Sequence, residues 1–285
     1  MPILDIPGRH IEFADRGRGE PVILLHCSGS SGAQWRALAE RLEPRMRTLA
    51  PDFLGYGRSG GWPGDPRDFS LAHEAAAVHA LLDRLDEPAH LVGHSYGGAV
   101  ALHVARARPD ALRSLAVIEP VALHLLREAR PEGSAIVREI LGVADDVRNA
   151  LAAGTLEAGY GRFVDYWGGP GAWAAVPAHK RDALAGQLPK VALDFQAIFD
   201  EPATPDDFRA VELPTLVLQG GATRAPTRRV CELLAATLPD VRRKVVAGAG
   251  HMLPITHRAE VDAQIVAHLE AHRRQRVDDE LLAAA

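Results

Sequence analysis

Short apolar runs alternate with longer amphipathic stretches along the first 120 residues. The runs PVILLHC, MRTLAPDF, AHLVGHS and LRSLAVIE are rich in Val, Ile and Leu and are bounded by Gly and Pro, which is typical of strands buried on both faces. Intervening stretches such as SLAHEAAAVHALLDRLD carry apolar residues three and four apart, which predicts helices. The alternation predicts an α/β fold, in which helices cover a parallel sheet. The opening segment ILDIPGRHIEFADRG predicts an antiparallel hairpin at the sheet edge.

The pattern changes after Glu119. Residues 121–207 contain helical patterns such as VREILGVADDVRNALAAG and a stretch rich in Gly and Trp, without a strand-like run. Alternation returns with PTLVLQG, TRRVCELLAATLP and RRKVVAG, followed by a final helix from about Arg258. We therefore predict a core domain formed by residues 1–120 and 208–285, interrupted by a helical cap at residues 121–207.

Composition and charge exclude several classes of function. The 32 basic and 37 acidic residues are interspersed and sum to a formal charge of −5, so no face is expected to bind nucleic acid. No apolar run reaches the roughly 18 residues of a membrane span, and the N-terminus does not resemble a signal peptide. Two isolated cysteines and thirteen scattered histidines provide no ligand spacing for a metal. The sequence predicts a cytoplasmic protein that has no membrane partner, cofactor or metal and acts on a small molecule.

The segment LVGHSYGG places Ser95 between a strand and a helix, with Gly93 and Gly97 on either side. A G-x-S-x-G sequence in this context is typical of a nucleophile elbow, because glycines allow the close backbone approaches that lift the serine above the sheet. The helix beginning at Tyr96 adds an amide N–H and a positive dipole end. We predict that Ser95 is a nucleophile and that Tyr96 N–H is an oxyanion donor.

Two further loops lie at the expected carboxyl edge of the sheet. GAGHML places His251 just beyond the last strand, where an imidazole could act as the general base for the serine. In LLHCSGSSGAQW, small residues follow a buried strand, so the N–H of Ser28 is predicted to be the second oxyanion donor. His26 is assigned to holding this loop together, and His94 to packing or hydrogen bonding.

These motifs resemble those of the α/β-hydrolase fold superfamily, in its branch of serine hydrolases with a helical cap. LLHCSGSSG, PDFLGYGRSG, GHSYGG and GAGH match its oxyanion loop, glycine-rich turn, elbow and histidine loop between about Pro21 and Met252. The resemblance implies a mostly parallel eight-stranded sheet with helices on both faces and an inserted cap. It also implies the roles given above to Ser95, His251, Ser28 and Tyr96. Cys27 stands where this family usually has Gly, which could narrow the acyl pocket.

The acid of the expected triad is missing from its usual place. The family carries an Asp in the turn after its seventh strand, whereas LVLQGGATRAP offers Thr223 there. Glu119 ends the apolar run SLAVIEP, and a carboxylate at the end of a buried strand is costly without a partner. We predict that Glu119 is the triad acid. The alternatives are a Ser–His dyad or a carboxylate from DEPATPDDF, such as Asp200.

The combination predicts a serine hydrolase that cleaves a small carboxylic ester or lactone through an acyl-enzyme. The alternatives are hydrolysis of a carbon–carbon bond in a diketone, which uses the same three residues, and a ligand-binding protein without activity. The serine elbow argues against epoxide hydrolases and haloalkane dehalogenases, whose nucleophile is Asp. Cap aromatics either line the pocket or anchor the cap, and Cys27, Tyr166 and Trp167 are the predicted pocket residues.

Overall fold

A computed structural model describes residues 1–127 and 135–273. Within these residues, eight strands form one sheet in the order β1-β2-β4-β3-β5-β6-β7-β8. The strands are β1 (Ile3–Ile6), β2 (Arg9–Gly17), β3 (Glu20–Leu25), β4 (Met46–Pro51), β5 (Ala89–His94), β6 (Leu112–Ile118), β7 (Thr215–Gly220) and β8 (Val241–Val246).

Only the edge formed by the first two strands is antiparallel. β1 pairs with β2, and β2 pairs with β4, in antiparallel register. All pairings from β4 to β8 are parallel. Every residue of β3, β5 and β7 is buried, because both faces of the sheet are covered, as their continuous apolar runs indicate. The predicted α/β fold with a mostly parallel sheet and an edge hairpin is confirmed.

Helices cover both faces of the sheet. Successive residues of a strand point to opposite faces, so Ile23 and Leu25 join one core cluster and Val22 and Leu24 join the other. The helices are α1 (Arg36–Leu42), α2 (Leu71–Leu82), α3 (Tyr96–Ala107), α4 (Ala135–Ala152), α5 (Leu156–Gly168), α6 (Ala178–Ala185), α7 (Leu188–Asp200), α8 (Ala225–Thr237), α9 (Leu253–Thr256) and α10 (Arg258–Ala271). In the described ranges, none of these helices has the length and apolar character needed to cross a bilayer.

Helices α4 to α7 form an insertion between β6 and β7, within the range predicted for the cap. The buried face of α7 carries Leu188, Val191 and Phe195, which belong to the same apolar cluster as core residues of α2 and α3. Lys190 of α7 also forms an ion pair of 2.9 Å with Glu74 of α2. Apolar and ionic contacts therefore fix α7 against the core domain.

Candidate active site

Ser95 lies in the tight turn between β5 and α3, with φ 55° and ψ −114°. Residues other than glycine rarely adopt this backbone region. The turn requires its glycines: a Cβ on Gly93 would lie 2.3 Å from the carbonyl oxygen of Gly97, and one on Gly97 would lie 2.4 Å from that of Leu25. The Ser95 N–H donates to the carbonyl of Ile118 at 2.9 Å, which ties the turn to the end of β6.

His251 reaches Ser95 from the loop that follows β8. Its Nε2 lies 2.8 Å from Ser95 Oγ, and both residues are buried. The ring of Trp167 from the cap covers the imidazole, with ring centroids 4.1 Å apart. The cap thus shields the imidazole from water while the histidine contacts the serine hydroxyl.

Glu119 follows β6 directly and places its carboxylate on the far side of the same imidazole. Its Oε2 lies 3.2 Å from His251 Nδ1, and its Oε1 accepts a hydrogen bond of 2.7 Å from the N–H of Gly220. The hydroxyl of Thr223 donates to Oε2. Since a carboxylate accepts from Nδ1–H, Nε2 is left to accept the proton of Ser95.

Thr223 contributes to this site in a way that was not predicted from the sequence. It occupies the position at which the family usually has Asp, and its hydroxyl binds the carboxylate that comes from β6 instead. Asp200, the alternative acid, is exposed at the end of α7. The signal was present in the sequence, because a hydrogen-bonding threonine stands where the acid was expected.

A hydrogen-bonded chain joins the loop after β3 to the histidine loop. The N–H of Cys27 donates to Gln34 Oε1 at 3.1 Å, Gln34 Nε2 donates to His94 Nδ1 at 3.1 Å, and His94 Nε2 donates to the carbonyl of His251 at 3.0 Å. Burial, followed by the proximity of His251, lowers the pKa of His94 to about 3, so His94 stays neutral. These hydrogen bonds hold the two loops in place beside Ser95.

The predicted oxyanion donors also lie beside Ser95. Ser28 and Ser95 line the same two cavities. Tyr96 is the first residue of α3, so its N–H has no acceptor within the helix. His26 lies beneath this loop, as expected: its Nδ1 donates to the carbonyl of Cys27 at 2.7 Å, and its Nε2 accepts from the N–H of Phe53 at 3.0 Å.

Two cavities meet at Ser28 and Ser95. The larger, about 210 Å³, is mainly apolar and contains His251 in its wall; it is lined by Cys27, Ser28, Gly29, Ser30, Ser95, Tyr160, Phe163, Val164, Trp167, Gly168, His251, Met252 and Ile255. The smaller, about 20 Å³, lies under α7 and is lined by Ser28, Ser95, Val121, Leu123, Phe163, Trp167, Val191, Asp194, Phe195 and Ile198.

Of the three predicted pocket residues, Cys27 and Trp167 line the larger cavity, and Tyr166 lines neither of the two. The Tyr166 hydroxyl bonds Glu139 at 2.9 Å, and its ring lies under Arg224 at 4.4 Å. Tyr166 therefore anchors the cap, which corrects its assignment to the pocket. In the described residues, no group of three or more His, Cys, Asp or Glu side chains is arranged to hold a metal ion.

Residues 20–258 match the protein family described as the alpha/beta hydrolase fold. The chain belongs to this family. This confirms the resemblance drawn from its motifs. A polyketide synthase from Burkholderia thailandensis is 29% identical over 94% of this chain and 13% of that protein. A lipase from Mycobacterium tuberculosis is 41% identical over 35% of this chain and 36% of the lipase.

The chain thus spans much less than two thirds of the length of either relative. Among solved structures, an esterase from Exiguobacterium antarcticum superposes with a TM-score of 0.74 at 18% identity, over 94% of this chain and 98% of the esterase. At this identity the likeness demonstrates the shared fold, and the substrate has to be argued from the site.

Proposed function

We propose that this α/β hydrolase cleaves a small carboxylic ester or lactone through an acyl-enzyme on Ser95. The observation that carries the proposal is the continuous contact from Ser95 Oγ to His251 Nε2 at 2.8 Å and from His251 Nδ1 to Glu119 Oε2 at 3.2 Å. A nucleophile, a base and an acid in this order are the components of serine hydrolysis. All three side chains are buried, and the resulting low dielectric strengthens their interactions.

In the proposed reaction, Ser95 Oγ attacks the substrate carbonyl carbon while its proton passes to His251 Nε2. The oxyanion that forms accepts hydrogen bonds from the N–H groups of Ser28 and Tyr96. The tetrahedral intermediate collapses, the bond to the alcohol oxygen breaks, and this oxygen takes the proton from His251. Water then repeats the sequence on the acyl-enzyme with His251 as base, which releases the acid and restores the serine.

Glu119 acts on the imidazole rather than on the substrate. Its carboxylate holds Nδ1–H and stabilises the imidazolium that forms when Ser95 loses its proton. Gly220 and Thr223 donate hydrogen bonds to the carboxylate and fix its orientation. The names of the lipase and esterase relatives are consistent with ester substrates.

The test is hydrolysis of p-nitrophenyl butyrate combined with labelling by a fluorophosphonate. Replacing Ser95→Ala should lower kcat by on the order of 10³-fold or more, since nucleophile and base act as a unit, and should abolish labelling. Ser31→Ala is the matched control, because Ser31 makes no capping hydrogen bond and lines neither cavity. If Ser95→Ala retains the wild-type rate, or if the label attaches elsewhere, the acyl-enzyme proposal is wrong. A diketone substrate in the same assay tests carbon–carbon bond hydrolysis.

A further inference from the structure

A group of buried polar side chains lies where α7 meets the core domain. The Lys190 ammonium contacts the Asp194 carboxylate one turn further along α7 and the Glu74 carboxylate of α2 at 2.9 Å. The hydroxyl of Tyr56 donates to Asp194 Oδ2 at 2.6 Å. Lys190 is 7% exposed, Asp194 2% and Glu74 1%. Buried charges are costly even when paired, which suggests that this group does more than attach the cap.

Asp194 faces the reacting centre as well as its ion-pair partners. It lines the smaller cavity together with Ser28 and Ser95. Among the described residues that line this cavity, Asp194 alone has a charged side chain. Burial, and to a smaller extent the Asp194 carboxylate, also raise the pKa of the Cys27 thiol to about 12. This effect agrees with the cavity wall, in which Asp194 lies together with Ser28 of the predicted oxyanion loop.

The position of His251 distinguishes the two cavities. In the proposed reaction the departing alcohol takes its proton from His251, so the alcohol must lie in the cavity whose wall contains His251. His251 lines the larger cavity and is absent from the residues that line the smaller one. The larger cavity therefore holds the alcohol, and the acyl group extends from Ser95 towards the smaller cavity beside Asp194.

The Asp194 carboxylate retains capacity to accept another hydrogen bond. Two carboxylate oxygens offer about four acceptor positions, and Tyr56 and Lys190 each donate to one oxygen. The buried Tyr96 hydroxyl, which has no other partner among the described residues, is a third donor near the carboxylate, so about one position is left. Burial opposes the charge on Lys190, but the Asp194 and Glu74 carboxylates outweigh this effect and raise its pKa. Lys190 thus stays charged and balances Asp194, while burial raises the pKa of the second carboxyl, Glu74, and so favours its neutral form.

This balance determines which substituent the site favours. A second cation would have to be buried beside a carboxylate that is already paired, and a carboxylate would meet like charge, so both are costly. A plain alkyl chain would leave the acceptor unused. A neutral hydroxyl supplies the donor without charge, and a cavity of about 20 Å³ has room for about one group of the size of water, which fits the hydroxyl. The carbons that carry it would lie at the opening that the two cavities share beside Ser28 and Ser95.

We propose that the acyl cavity accepts a short hydroxyacyl group whose hydroxyl donates a hydrogen bond to Asp194. The inference rests on the proposed ester hydrolysis and specifies its substrate class as esters of short hydroxy acids. Lys190, Tyr56 and Glu74 act as positioning residues that hold the carboxylate at the cavity wall.

The test measures kcat/KM for matched methyl esters by titration of the released acid. The panel consists of methyl butyrate, the 2-, 3- and 4-hydroxybutyrates as separate enantiomers, methyl 3-aminobutyrate and monomethyl succinate. The wild-type enzyme should prefer one hydroxybutyrate over butyrate by on the order of 10-fold or more, because the hydrogen bond is made to a charged acceptor. This ratio is measured within one protein preparation, so it does not depend on the fraction folded.

Two variants should remove the preference. In Asp194→Asn and in the triple variant Asp194→Leu, Lys190→Met and Glu74→Gln, the ratio of hydroxybutyrate to butyrate should fall towards one. The triple variant removes every charge of the group, so that no buried charge is left without a partner. Asp200→Asn is the matched control, because Asp200 is another carboxylate of α7 but is exposed and lines neither cavity; it should retain the wild-type ratio.

The outcomes separate this inference from the proposed function. Equal rates for butyrate and every hydroxybutyrate, with Ser95 still required, would overturn the inference alone. A preference for the aminobutyrate or the succinate ester, or an equal loss of preference in Asp200→Asn, would overturn it as well. Absence of any ester hydrolysis together with absence of Ser95 labelling would overturn the proposed function and, with it, the inference.

Discussion

At the scale of single residues, the carboxylate that we propose as the acid of this site lies at the end of β6 and not in the turn after β7. Glu119 has φ 48°, and its N–H donates to the carbonyl of Leu218 at 2.9 Å, so the strand pairing continues up to the residue that carries the carboxylate. Thr223 stands at the usual acid position and donates to that carboxylate. The two turns meet on one side of His251, which explains how either could supply an acid.

We predict that Glu119→Gln lowers kcat for p-nitrophenyl butyrate steeply, by up to about 10⁴ if the effect in a serine protease triad applies here. The amide retains the size of the side chain but cannot stabilise an imidazolium by charge. In the double variant Glu119→Gln with Thr223→Asp, an acid at the family's usual position should restore part of the rate. A wild-type kcat in Glu119→Gln would refute the role of Glu119.

Thr223→Val is a separate test of the carboxylate's support. Valine matches the shape of threonine and removes only the hydroxyl, so the carboxylate loses one of its donors. We expect kcat to fall by roughly 10-fold, in line with the loss of one hydrogen bond to a charged group, while KM changes little. Steady-state kinetics of the two variants side by side would show a much smaller loss for Thr223→Val than for Glu119→Gln; losses of equal size would contradict this division of roles.

At the scale of elements, what the sequence predicted well was local. The strands that carry Ser95 and Glu119 are continuous apolar runs, and the elbow depends on neighbours within a few residues. Cys27 and Trp167 line the larger cavity as predicted, whereas Tyr166 does not, because the prediction ignored the rotation of α5. Tyr160, Phe163, Val164 and Trp167 line the larger cavity and repeat at the three- and four-residue spacing of one helical face, from which Tyr166 is displaced.

Asp194 escaped prediction for a different reason. Tyr56, which donates to Asp194, and Glu74, which pairs with Lys190, are both more than 100 positions away in the sequence, so no local pattern brings these side chains together. Apolar residues surround Lys190 and Asp194 in the helical pattern of α7, which indicates a buried charge pair. The pattern does not indicate which cavity the pair faces. The structure was needed to find these contacts between distant parts of the sequence, and with them the chemistry of the acyl cavity.

The backbone of the elbow gives an element-scale prediction. A Cβ at position 97 would lie 2.4 Å from the carbonyl oxygen of Leu25, and backbone cannot yield as a flexible side chain can. Gly97→Ala should therefore cost several kcal/mol of unfolding free energy, as overpacking in a tight core does, and should lower activity. Gly142→Ala is the control: this glycine lies inside α4, a Cβ added to it would meet no atom within 4 Å, and the variant should gain about 1 kcal/mol. Urea unfolding of both variants measures the contrast, which similar losses in the two would refute.

At the scale of the whole molecule, buried histidines connect stability to pH. Burial is the largest cause that lowers the pKa of His26, His90 and His94 to about 3 and of His124 and His268 to about 4. In the unfolded chain, histidine takes up a proton near pH 6.5. Between these limits the unfolded state binds more protons than the folded state, so the free energy of unfolding falls as pH falls. Above pH 7 these groups have no such effect, because both states are neutral.

We therefore predict a steep loss of stability between pH 6.5 and 4.5, to which each such histidine contributes up to about 1.4 kcal/mol per pH unit. His90→Asn isolates one contribution: His90 bonds the hydroxyl of Ser114 at 2.8 Å, and asparagine can keep a hydrogen bond there but does not titrate. Whatever its effect at pH 7, this variant should lose stability more slowly than wild type between pH 6 and 5, by about 1 kcal/mol per pH unit. His179→Asn, at an exposed position, should parallel the wild type. Urea unfolding at each pH gives the slopes, and a His90→Asn slope equal to that of wild type would show that the buried imidazole at position 90 is not a source of the acid sensitivity.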